Sequence, residues 1–194
     1  NPSITNIKNY FKRYYCPNNV AICMSGDFNP DKVIAIIDKY FGSWKANPTL
    51  SRPEYAPVPA LTAPVDTTVV GQEAENVMLG WRFDAAASMQ QDTLDVISDM
   101  LSNGKAGLFD LDLDQKMMYL GGAAFTYPLA EYSSFIVEGL PKEGQTLDQV
   151  RDLMLGEIDK LKRGEFADDL LPSVINNMKL KAYNEMESND SRAS

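Results

Sequence analysis

The chain has 194 residues, 44% hydrophobic and 23% charged, with 18 basic and 27 acidic side chains, for a net charge of −9. That length supports roughly one large domain, or a domain and a half, with a real core. The acidic balance argues against nucleic acid and anionic membranes as partners, and no apolar run approaches the roughly 20 residues of a membrane span. Histidine is absent altogether, which excludes His-ligated zinc chemistry, imidazole acid–base catalysis and a Ser-His-Asp triad in this chain alone.

Ser3 reads as an N-cap, followed by Ile4, Ile7, Phe11 and Tyr14 at helical spacing, and Pro17 ends that helix. Val20 to Met24 reads as a short apolar strand closed by Gly26. Asn29-Pro30 opens a second helix with the stripe Val33, Ile36, Ile37, Tyr40 and Phe41, stopped at Gly42. Residues 43–64 hold Pro48, Pro53, Pro57, Pro59 and Pro64, which keep the backbone extended and helix-free. A linker is expected over residues 49–64, with a domain boundary near residue 60.

Thr67 to Gly71 and Val77 to Phe83 read as two strands, and Leu94, Ile97 and Leu101 lie on one helical face. Gly104 interrupts that pattern, and Leu108, Leu111 and Leu113 continue it as a short second helix. Leu120 to Tyr127 and Ser133 to Leu140 read as two further strands. Thr146 caps a helix with the stripe Leu147, Val150, Met154, Ile158 and Leu161; Lys160, Lys162 and Arg163 fall in its last turn, and Gly164 ends it. A last helix starts at Asp168 or Asp169, with Pro172 in its first turn. Strand pairs followed by helix pairs predict an α+β fold, an antiparallel sheet with helices packed on one face.

Cys16 and Cys23 are the only thiols, and their six-residue spacing suits neither a zinc ribbon nor a redox pair. They read as small half-buried hydrophobes, with a disulfide left open. Asp110, Asp112 and Asp114 alternate as calcium ligands do, but without the Gly and the later Glu of such a loop, so a solvated helix face is expected. Asp168-Asp169 reads as helix-capping, and Glu185, Glu187 and Asp190 as a solvated helix end. Gly121-Gly122 reads first as a bulge or bend in a strand and second as a seam for a substrate or companion domain. Ser133, Ser134 and Ser102 have no histidine base, and nothing in the sequence positions Lys105 to serve instead. Trp81, Tyr119, Phe125, Tyr127 and Tyr132 read as core or interdomain contacts.

Phe11, Tyr14-Tyr15, Pro17-Asn18-Asn19, Gly26-Asp27-Phe28, Tyr40-Phe41-Gly42 and Trp44 together resemble the end of a domain in the pitrilysin/insulinase family of inverzincin peptidases. Leu101, Gly104, Gly107, Leu108 and Phe109 are similar to that family's small-residue turn, although Lys105-Ala106-Gly107 replaces the usual serines and the usual Arg-Glu is missing. Leu147 to Arg163, Phe166 and the helix from Asp169 are similar to its paired helices. The resemblance implies that residues 1–48 are the closing helix–strand–helix of a preceding family domain. It also implies that residues 65–194 form an inactive domain of pitrilysin/mitochondrial-processing-peptidase type, expected to stop before its last strand and helix.

On that reading the chain is a scaffold and chamber wall, or else a non-catalytic partner subunit of the same fold. It has no catalytic, cofactor-binding or metal residue, and the zinc of the parent, with its H-x-x-E-H motif, lies outside it. The implied partners are the remaining domains of the parent and the parent's peptide substrate. Proteins of this family are often exported from bacteria. Phe11, Tyr40, Phe41 and Trp44 are expected to pack two helices on a sheet. A last expectation is that Val20 to Met24 completes the second domain's sheet, within the chain or by exchange in a homodimer; an unpaired segment there would count against it.

Overall fold

The computed structural model describes residues 2–194. The chain divides into two compact units, Asn1–Thr67 with Tyr183–Ser194, and Thr68–Ala182.

In the first unit, α1 spans Ile4–Tyr14, a 3₁₀ turn spans Pro17–Asn19, and α2 spans Pro30–Phe41. Asn29 caps α2 by accepting a hydrogen bond from the Lys32 backbone N–H at 3.1 Å. Gly42 ends α2 in a right-handed conformation. The need for glycine there is space, because a Cβ would sit 2.5 Å from the Asp38 carbonyl oxygen. A polar clip closes the turn after α1. Asn18 and Asn47 exchange hydrogen bonds between side chain and backbone at 3.0 Å each way, and the Asn47 and Asn19 amides donate to the carbonyls of Arg13 and Tyr14.

Neither α1 nor α2 buries a residue. Phe11 stacks on Tyr15 at 4.1 Å and Phe41 meets Trp44 edge-on at 5.2 Å, yet Phe11, Tyr40, Phe41 and Trp44 all stay exposed. The expectation that these aromatics pack a sheet is therefore not met within the chain, since the unit contains no strand among its described residues. Val20 to Met24 is exposed and forms no strand, so within the chain it does not complete the second unit's sheet. Apolar character alone does not make a strand; a ladder needs a neighbouring edge.

The second unit holds β1 (Val77–Phe83), α3 (Met89–Leu101), a single π-helical turn (Asp110–Asp114), β2 (Gly121–Pro128), β3 (Ser133–Leu140) and α4 (Leu147–Arg163). Next comes α5 (Leu170–Glu187), whose last turns fall in the first unit, as does the short α6 (Asn189–Ala193). The strands form an antiparallel sheet in the order β1-β3-β2. Thr67 to Gly71 is not a strand; Val69 and Val70 stand in solvent, and no strand of the sheet pairs with them. The fold is nonetheless the expected α+β layer.

Alternation along β3 buries Ser133, Phe135, Val137 and Gly139, while Ser134, Ile136, Glu138 and Leu140 take the other face. The buried face meets Leu94, Leu101, Leu108, Phe109, Leu113, Val150 and Met154 in one continuous core. Gly139 lies in register between Val77 and Gly122. A Cβ on it would come within 2.6 Å of Val150 Cγ1, so this glycine lets α4 approach the sheet. Gly121 and Gly122 pair regularly with Leu140 and Gly139, which corrects the bulge reading. Gly122 is needed because the Tyr119 ring lies 2.6 Å from where its Cβ would be.

Thr146 and Gln149 cap α4 reciprocally in a capping box, and Gly164 closes it in the left-handed region at φ 73°. Cys16 is buried, Cys23 is exposed, and both are free thiols.

Candidate functional site

The π-helical turn carries the three alternating aspartates, and they do three different things. Asp110 is buried, and its Oδ2 accepts backbone N–H groups from Asn103, Lys105 and Gly107 at 3.0, 3.0 and 2.8 Å. It therefore holds the loop between α3 and the turn. The solvated-face reading fails for this residue because the loop folds its amides back onto the carboxylate. The close packing of that loop also requires Gly107, whose Cβ would sit 2.5 Å from the Leu101 carbonyl oxygen.

Asp112 faces two cations. Lys116 donates to Oδ1 at 2.6 Å and Lys160 to Oδ2 at 2.8 Å. These bonds, the Lys116 one first, hold the Asp112 carboxyl down at about 2. Asp114 is shifted upward, chiefly by burial, with the nearby Tyr119 hydroxyl opposing that shift. Burial, then the Asp114 charge, pushes the Tyr119 hydroxyl above its ordinary range.

Lys160 also donates to Glu157 Oε1 at 2.8 Å, so one ammonium bridges the π-helical turn and α4. Its own pKa rises because Asp112, then Glu157, favour the charged form. Glu157 is only 5% exposed. Burial raises its pKa, and the Lys160 hydrogen bond opposes but does not cancel that rise. Its second oxygen, Oε2, has no hydrogen-bond partner among the described residues.

Glu157 lines an open groove of about 800 Å³. The groove runs along α4 past Leu153, Gly156 and Lys160, and is bounded by Met118 and residues 142–145. It is larger than the adjoining hollow of about 250 Å³ beside Leu120 and Leu140, and it is the candidate for binding. Sequence reasoning missed it. One signal was available: Glu157 falls seven residues after Val150, on the same apolar stripe as Met154, Ile158 and Leu161, where a carboxylate is out of place.

None of the residues considered for catalysis assembles into a catalytic group. Ser133 is buried inside the sheet layer, its Oγ without a partner among the described residues. The Lys105 backbone N–H is tied to Asn103 and Asp110, and no hydrogen bond links Lys105 to Ser102, Ser133 or Ser134 among the described residues. No cluster of three or more Cys, Asp or Glu is placed to hold a metal among those residues. Glu185, Glu187 and Asp190 are solvated as expected. No described helix is long and apolar enough to cross a membrane.

The second unit is a helix-backed antiparallel α+β layer, and the sequence supplies it no imidazole. The chain belongs to the family described as the peptidase M16 inactive domain, whose profile matches residues 3–178. It is 27% identical to the zinc protease PqqE of Helicobacter pylori, an alignment covering 97% of this chain and 43% of that protein. Its fold matches the crystal structure of a protease from Helicobacter pylori with a TM-score of 0.83 at 24% identity, over 100% of this chain and 48% of that one. A structure described as an M16-like peptidase, from Alicyclobacillus acidocaldarius, matches with a TM-score of 0.59 at 14% identity, over 87% of this chain and 41% of that one. The chain thus spans less than half the length of these relatives.

Proposed function

We propose that the chain is a non-catalytic scaffold and chamber wall of a larger zinc-dependent endopeptidase. The match of residues 3–178 to an inactive peptidase domain is the observation that carries this reading. The lack of any histidine agrees with it, and so does the relative named a zinc protease. On this reading residues 1–48 close a preceding domain of the same fold, residues 49–64 link the two, and residues 65–194 form the inactive domain. The bare apolar faces of α1 and α2 support that division, because amphipathic helices with no buried residue are stable only against a partner surface. The zinc and the H-x-x-E-H motif belong to the parent outside this chain, and the partners are the parent's other domains and its peptide substrate.

The test is the parent gene together with its product. An H-x-x-E-H motif upstream of residue 1, with zinc-dependent peptide cleavage by the full-length product, supports the reading. A parent without that motif and without cleavage overturns it in favour of a non-catalytic partner subunit.

A further inference from the structure

We propose that the groove along α4 binds an extended peptide segment through a basic side chain, with the Glu157 carboxylate as its counter-charge and Gly156 as the place where the segment's backbone meets the helix. Three observations carry this. First, Glu157 is more than nine-tenths buried, lines the groove, and has one carboxylate oxygen with no partner among the described residues. That oxygen is shielded from bulk water, so a cation seated over it in the groove is weakly screened.

Second, the N–H donors around the groove already have acceptors within the chain, Lys142 through a neutral carbonyl. Lys160 holds Asp112 and Glu157, Lys142 donates to the Met117 carbonyl at 3.1 Å, and Arg163 pairs with Glu165. The acceptors still without a partner are Glu157 Oε2 and the carboxylate of Glu143, which makes no hydrogen bond or ion pair among the described residues. The vacancy is therefore for a positive N–H donor. Met118 and Leu153 supply apolar walls for the stem of a Lys or Arg.

Third, Gly156 sits in the middle of α4, where glycine is a poor helix former. Nothing lies within 4 Å of where its Cβ would be, so no contact inside the chain accounts for it. A helix glycine facing open space in a groove suits close approach by another backbone. The inference does not depend on whether the parent cleaves peptides.

The test titrates the 194-residue chain with an acetylated, amidated octapeptide of alanine and serine carrying one central arginine, and with the same peptide carrying citrulline, its neutral isostere. The arginine peptide is expected to bind at least tenfold more tightly. Glu157→Gln, which keeps an oxygen for Lys160, is expected to erase that preference, and Gly156→Leu to block both peptides. Equal affinity for the two peptides, no binding of either, or a preference that survives Glu157→Gln would overturn the proposal. The peptide comparison alone decides it if a variant fails to fold.

Discussion

Asp110→Ala removes one buried oxygen that accepts three backbone N–H groups. The Gly107 bond is buried, and the other two are partly exposed. A buried donor left without a partner costs about 2 kcal/mol. The partly exposed pair regain water and together lose about 1 kcal/mol, so the total is about 3 kcal/mol. For a chain of this size that is a drop of about 6–12 °C in Tm. Asp110→Asn keeps an acceptor but loses its charge, and is expected to cost about 1 kcal/mol. Urea unfolding followed by Trp81 fluorescence in a Trp44→Phe background reports on the second unit alone, since the chain has two tryptophans. Hydrogen exchange should speed up most at the amides of Asn103, Lys105 and Gly107. A cost for Asp110→Ala below about 0.5 kcal/mol, or equal effects of Ala and Asn, would show that the carboxylate does not hold this loop.

Gly139→Ala would press a methyl against Val150 Cγ1 and Met154 Sδ, at 2.6 and 2.8 Å before relaxation. It should cost about 1–3 kcal/mol in urea unfolding, with partial rescue by Val150→Ala. Asp112 titrates at about 2 in the fold, below its ordinary 3.8. Its contribution is therefore complete above about pH 4 and lost as the pH falls towards 2. Allowing for its partial exposure, it is worth about 1–2 kcal/mol. Asp112→Asn should remove that part of the acid dependence of stability, and it should also lower the pKa of Glu157, which the Asp112 carboxylate helps to raise.

Most of the second unit was legible from local chemistry. The range of β1 and of β3, the Thr146 cap and the Gly164 stop follow from alternation, capping and turn residues that act over a few positions. Gly121-Gly122 was legible as a special place but not as to cause, because the Tyr119 ring reaches it only through the fold. Val20 to Met24 and Thr67 to Gly71 misled because β-branched and apolar residues signal a strand without supplying the edge it pairs with. The candidate site was the least legible part. Asp112 and Lys160 are 48 residues apart, and their pairing is set by how the π-helical turn packs against α4. Asp110 looked solvated because a charge pattern does not reveal that a loop will turn its amides onto one member of it. Only Glu157, a carboxylate on an apolar stripe, announced itself locally.

The central claim is that this chain is framework without bond-breaking chemistry. The most direct measurement is hydrolysis of a quenched fluorescent peptide library by the purified 194-residue chain, with added zinc and with a chelator, alongside its bound zinc content. The account predicts cleavage at the buffer background in both conditions and no stoichiometric zinc. Chelator-sensitive turnover that co-purifies with the chain, or one tightly held zinc per molecule, would contradict it.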